Sequence, residues 1–176
     1  VWFEEVVMRL DFMFTGTADE SSYAFSGLRK EAHYSGSRAS LVDPFDYGDH
    51  KFEVRDAGSG TLIYAYTYST LFREWQTTTE AKTVRRAYNH VIRFPWPRSA
   101  VMVEVFDRSW EGDFQSAWTG QFDPESMFTD PSVPLAFENV DLEIHGHPEQ
   151  KINMLFLAEG YTEPEMEKFP PQLIRQ

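Results

Sequence analysis

"KFEVRDAGSGTLIYAYTYS", residues 51–69, holds two alternating runs on either side of the short loop AGSG at 57–60. Alternation of apolar and polar residues is the pattern of a strand with one face buried, because successive side chains of extended chain point to opposite faces. A loop with two glycines between two such runs predicts a β-hairpin, 51–56 paired with 61–69. In the second run Leu62, Tyr64, Tyr66 and Tyr68 share one face and Thr61, Ile63, Ala65 and Thr67 share the other.

The same grammar extends in both directions from this hairpin. Upstream, VMRLDFMF (7–14) puts Met8, Leu10, Phe12 and Phe14 on one face and Arg9 and Asp11 on the other. The polar loop TGTADESS (15–22), a weaker strand in YAFSGLRKEAHYSG and turn chemistry in VDPFDYGDH (42–50) follow. Downstream, TVRRAYNHVIRFPWP (83–97), AVMVEVFDR (100–108) and DFQSAWTGQFD (113–123) read as strands. The two prolines of FPWPRSA assign that stretch to a connection or an edge, since proline cannot donate to a ladder. The run LFREWQTTTEAKT (71–83) interrupts the strands; its threonines followed by Glu80 predict a helix start, a short helix covering a sandwich edge. FTDPSVP (128–134) reads as a linker and NVDLEIHGH (139–147) as a short strand or extended linker. Seven or eight short strands separated by turns predict a mainly β fold, an antiparallel β-sandwich or jelly-roll-like domain.

Composition agrees. Of 176 residues, 15 are Phe, 8 Tyr and 5 Trp, side chains that pack well on pleated surfaces. A net charge of -12 repels phosphate backbones and anionic lipid surfaces, which argues against nucleic-acid and membrane partners. The absence of cysteine excludes a disulfide framework and thiol chemistry. No apolar run has the length of a membrane-spanning helix. The opening VWFEEVVMRLDF has neither the basic region nor the small-residue cleavage site of a signal peptide.

After His147-Pro148 the pattern changes. INMLFLAE (152–159) is almost continuously apolar, as in a strand buried on both faces of a parallel sheet. Gly160 supplies a turn, Thr162 and Glu165 form a capping box, and Pro164 fits a first helical turn. The expectation is a strand-turn-helix unit that opens an α/β domain, with Pro170-Pro171 ending the helix. The predicted domains are therefore 1–147, the β-sandwich, and 148–176, the start of a second domain.

The string MLFLAEGYTEPEMEKF (154–169) closely resembles the opening strand and helix of the catalytic domain of IgA-peptidase-like zinc metallopeptidases, peptidase family M sixty-four. FEEVVMRLDFMFTG, the long stretch from YSGSRAS through YSTLFREWQTTTEA, and NHVIRFPWPRSAVMVEVFD look like that family's N-terminal β domain. The family's chemistry resides in a His-Glu-x-x-His helix, two His binding zinc and the Glu acting as general base. None of the five histidines here, His33, His50, His90, His145 and His147, has that spacing. The resemblance therefore implies a non-catalytic accessory domain plus the first element of a truncated enzyme. It carries over no catalytic residue and no cofactor of this chain's own. Zinc is implied for the parent enzyme, the parent's catalytic domain as partner, protein as substrate, and a secreted, periplasmic or cell-surface location.

Four groups of residues invite a functional reading, each beside an ordinary one. His145 and His147 are two apart, on one face of an extended chain, and with Glu143 and Glu149 suggest a metal shell; the stretch also reads as a solvated linker. Asp43, Asp46 and Asp49 suggest a calcium loop, but the terminal bidentate Glu is missing, and a turn with capping carboxylates explains them. Trp2, Trp75, Trp96, Trp110 and Trp118, with Tyr64, Tyr66 and Tyr68, are flat rings that could stack on sugars; Trp110, in the turn DRSWEGD, is the best candidate for an exposed one. A carbohydrate-binding β-sandwich module is thus the alternative function, against aromatics as core. Glu74, Asp107, Glu111 and Asp113 are carboxylates that glycoside hydrolysis would pair across a cleft, a placement sequence does not supply.

Overall fold

The computed structural model of the chain describes residues 2–32, 34–130, 140–147, 151–152 and 154–169. The chain divides into two compact units, Val1–Val133 and Pro134–Gln176, and each is described by itself.

The first unit contains β1 (Phe3–Gly16), β2 (Ser21–Glu31), β3 (His50–Asp56), β4 (Leu62–Tyr68), α1 (Leu71–Gln76), β5 (Arg86–Pro97), β6 (Val101–Arg108), β7 (Phe114–Phe122) and β8 (Thr129–Asp130). They form two four-stranded sheets, β5-β1-β2-β8 and β4-β3-β6-β7, antiparallel throughout except for the short β2–β8 pair. The protein is thus mainly β and built as a β-sandwich. The hairpin at 51–69 forms as read, with Phe52 opposite Tyr66 and Val54 opposite Tyr64. The linker stretch 128–134 contributes Thr129 and Asp130 to β8, which lies beside Leu28 and Arg29.

The core follows from strand alternation. Met8, Leu10, Phe12 and Phe14, the predicted inner face of β1, are buried together with Phe52, Val54, Val101, Val103 and Val105 of the other sheet. Rings meet across the two layers, Phe12 with Trp118 at 4.9 Å and Phe52 with Phe94 at 6.1 Å. Each such side chain contributes about 1.5–3 kcal/mol by leaving water. The outer face of β1 is ionic instead. Arg9 binds Asp11 and Glu31, and Arg93 also reaches Glu31. Burial pushes the Glu31 carboxyl up, but the Arg93 and Arg9 guanidiniums outweigh it and hold it below the usual carboxylate range.

Two irregularities depart from simple alternation. A bulge opposite Val54 and Arg55 leaves Ile63, Tyr64 and Ala65 buried in succession. The free edge of β4 is covered by the preceding segment: Leu41 and Asp43 bond the backbone of Ala65, and the Asp43 carboxylate accepts from the Thr67 hydroxyl. Covering an edge satisfies backbone groups that would otherwise template foreign strands. The other sheet's edge strand, β5, carries Pro95 and Pro97, so the proline pair marks an edge.

The helix differs from the sequence reading. It spans Leu71–Gln76, before the threonine run, with Thr70 as N-cap. The run ends it at Thr77, and Glu80–Lys82 form only a 3₁₀ turn. Phe72 and Trp75, three apart, bury one side of α1 against the core, and that burial rather than the threonines fixes its register.

In the second unit the described residues 140–147, 151–152 and 154–158 contain no strand. Ile152, Met154, Leu155 and Leu157 are exposed. A both-faces-buried strand needs ladder partners on each side, and the described residues of this unit supply none. Gly160 takes the left-handed conformation expected of a turn, φ 78°. Glu163–Lys168 then form a 3₁₀ helix, not an α-helix, and Thr162 donates from its N–H and its hydroxyl to the Glu165 carboxylate.

Candidate functional site

The most chemically suggestive cluster joins both sheets to the helix. β3 begins with His50, which is 1% exposed. Its Nδ1 lies 2.8 Å from the Asp107 carboxylate on β6, and its Nε2 lies 3.0 Å from the Thr70 hydroxyl. Tyr23, from β2 of the opposite sheet, donates its hydroxyl to the other Asp107 oxygen at 2.5 Å. Burial, then the negative charge of Asp107, push the Tyr23 phenol well above its ordinary value, so it stays a donor.

Carboxylate, imidazole and hydroxyl in this order imitate a nucleophilic triad. The surroundings assign a different role. The Thr70 hydroxyl accepts the Arg73 backbone N–H at 3.1 Å, capping α1. A His that hands a proton to a leaving group has to meet it, and this imidazole is enclosed between Phe14, Tyr23 and Tyr68. The cluster is a bridge from sheet to sheet to helix. Beside it, His90 of β5 stacks on Tyr68 with ring centroids 4.9 Å apart. Among the described residues the Tyr68 hydroxyl and His90 Nε2 are buried without a hydrogen-bond partner. Burial, and then the neighbouring His50, lower the His90 pKa to about 4.

The bridge orients a surface. Arg73 of α1 lies over the Trp110 ring, 4.0 Å from its centroid, and donates to the Arg108 carbonyl at 3.0 Å. Arg108 donates in turn to the carbonyls of Gly48, Gly112 and Asp46, tying the 45–49 segment to the 109–113 turn. Gly48 lies so close to Tyr68 that a Cβ there would meet its backbone. Trp110 is 71% exposed and lines a depression of about 370 Å³ with Asp49, Thr70 and Glu74.

The remaining candidates separate. Trp75 and Trp96 are core, Trp118 is half-buried and packed against it, and Trp2 is exposed. Asp43 is engaged by Thr67 and by the Phe45 N–H, a capped turn, while Asp46 faces Lys51. His145 is exposed and pairs with Glu143 at 3.0 Å; His147 is exposed, and Glu149 lies outside the described residues, as does His33. Among the described residues no group of three or more His, Asp and Glu side chains converges on one point as zinc would require. The described residues therefore do not fit a zinc centre. Asp107, offered in sequence as half of a carboxylate pair, is committed to His50 and Tyr23. The Asp107–His50–Thr70 bridge was not foreseen. Its members come from three elements, and only the polar His50 at an inward position of an alternating strand hinted at it.

The fold and this cluster define a β-sandwich module whose buried polar groups serve its architecture. A family model described as "Peptidase M64 N-terminus" matches residues 1–119. The chain belongs to that family, the N-terminal domains of a group of peptidases. No curated protein matches the sequence.

Proposed function

We propose that this chain serves as the non-catalytic N-terminal accessory domain of a secreted zinc metallopeptidase of the IgA-peptidase type, packing against that enzyme's catalytic domain and helping to present protein substrate. The observation that carries this reading is that a triad-like constellation among the described residues is consumed in structural bonds, within a chain that belongs to a peptidase N-terminal family. In the same reading residues 148–176 open the catalytic domain. The exposed run Ile152, Met154, Leu155 and Leu157 supports this, since it has the composition of an inner strand of a parallel sheet.

The test has two arms. Incubated with zinc and unfolded protein substrates, the chain yields no cleavage; chelator-sensitive proteolysis, lost in His50→Ala, overturns the non-catalytic assignment. Mixed with the separately expressed catalytic domain of its parent, the chain binds, read by calorimetry. No heat at about 0.1 mM of each, an affinity weaker than roughly -5 kcal/mol, overturns the packing role.

A further inference from the structure

Two depressions meet at Ser69, just past the end of β4. The first, about 370 Å³, is lined by Trp110, Asp49, Glu74 and Ser69. The second, about 540 Å³, is lined by Phe45, Tyr47, Tyr66 and the same Ser69. Trp110, Tyr47 and Phe45 are 71%, 86% and 65% exposed. The Phe45 and Tyr47 rings lie nearly parallel, 5.5 Å apart and inclined by 18°.

Loops that leave aromatic rings in water usually move to bury them, and these are held. Arg108 clasps both loops by three carbonyl bonds and lies over the Phe114 ring at 4.2 Å. Thr70, fixed by His50, anchors the helix that carries Arg73 and Glu74. These bonds hold both loops in the chain alone, which lowers the ordering cost of binding. The Asp49 and Glu74 carboxylates have no partner among the described residues, so each keeps its acceptor sites open beside exposed rings.

Flat rings next to open acceptors match a ligand with an apolar face and a rim of hydroxyl donors. A pyranose ring has both. Anionic ligands are opposed by Asp49, Glu74 and the net charge of -12. A cationic side chain is opposed at Trp110, because the Arg73 guanidinium already covers that ring. We propose that the two depressions form one binding site for a neutral oligosaccharide, with Trp110 and the Phe45–Tyr47 pair as stacking platforms and Asp49 and Glu74 as hydroxyl acceptors. The site lies outside the packing role proposed above, and its failure leaves that role standing.

The experiment is a titration of the labelled chain with millimolar neutral oligosaccharides (β-glucan, xylan, mannan and β-galactoside fragments), followed by the Trp110 indole N–H and the tyrosine ring resonances in NMR spectra. The same titration with an anionic oligogalacturonide and with a lysine-rich peptide completes the set. The expected result is a saturable shift at Trp110 with at least one neutral oligosaccharide, unaffected by added salt. It weakens at least about tenfold in Trp110→Ala and severalfold in Tyr47→Ala, and is unchanged in Trp2→Ala. No shift with any neutral oligosaccharide, or shifts that survive Trp110→Ala, overturns the proposal. A salt-sensitive shift with the lysine-rich peptide alone overturns it in favour of a basic protein segment.

Discussion

Asp107→Ala removes the centre of the bridge between the sheets. In the wild type one carboxylate oxygen accepts from Tyr23 at 2.5 Å and the other contacts His50 Nδ1 at 2.8 Å. His50 is 1% exposed, so its Nδ1–H finds no water in the variant. An orphaned buried donor costs about 1–3 kcal/mol, and two are created. The Tyr23 hydroxyl is the less enclosed of the two, so the expected loss is about 3–4 kcal/mol. Against a typical total of roughly 5–15 kcal/mol that is a large fraction. For a domain of this size it lowers the melting temperature by on the order of 10 °C. Tyr23→Phe removes one donor and leaves the His50 contact intact, so it costs about 1 kcal/mol. The assay is urea denaturation of wild type, both single variants and the double variant, followed by tryptophan fluorescence, with unchanged m-values as the check that only stability moved. The two losses fail to add, because in Asp107→Ala the tyrosine contact is already gone. Asp107→Ala within 0.5 kcal/mol of wild type, or strict additivity in the cycle, refutes the bridge.

Gly48→Ala forces a methyl group into the Tyr68 backbone and destabilises by about 2–4 kcal/mol, read as a lowered urea midpoint. His90 titrates in the folded state at about 4, below the usual histidine value, so the unfolded chain binds the extra proton first. Stability is therefore full above the unfolded pKa and falls as pH drops from about 6.5 towards about 4, by up to roughly 3 kcal/mol; His90→Phe flattens that part of the pH profile in denaturant titrations. Arg108→Lys keeps the charge but not the three-carbonyl clasp, so limited proteolysis nicks residues 45–49 and 109–113 faster while the far-UV spectrum is unchanged.

Strand positions were legible wherever one face meets water. The Met8, Leu10, Phe12, Phe14 alternation and the AGSG turn are local signals, and both survive folding unchanged. The Pro95 and Pro97 pair restricted that stretch to a connection or an edge for the same reason, since a missing donor is a property of the residue itself, and the structure makes it an edge strand. The sequence offers two competing threonine caps for the helix, Thr70 and the run at 77–79, and burial of Phe72 and Trp75 selects the first. The apolar run after Ile152 shows the converse. Its composition fits an inner strand, but a strand is a relation between segments, and the described residues of its unit hold no partner.

The sequence by itself determined the fold class, the hairpin and the inner face of β1. Each depends on residue type and short spacing. Only the tertiary structure decided what the polar residues do. His50, Asp107, Thr70 and Tyr23 are 20 to 84 positions apart in the pairs that bond, and nothing local marks them as partners. The same holds for the Arg108 clasp, which reaches Asp46 and Gly48 across about sixty residues and holds the loops that keep Trp110, Tyr47 and Phe45 in water. Local pattern fixes which face of a strand is apolar; hydrogen bonds between distant elements fix which groups remain free to meet a ligand.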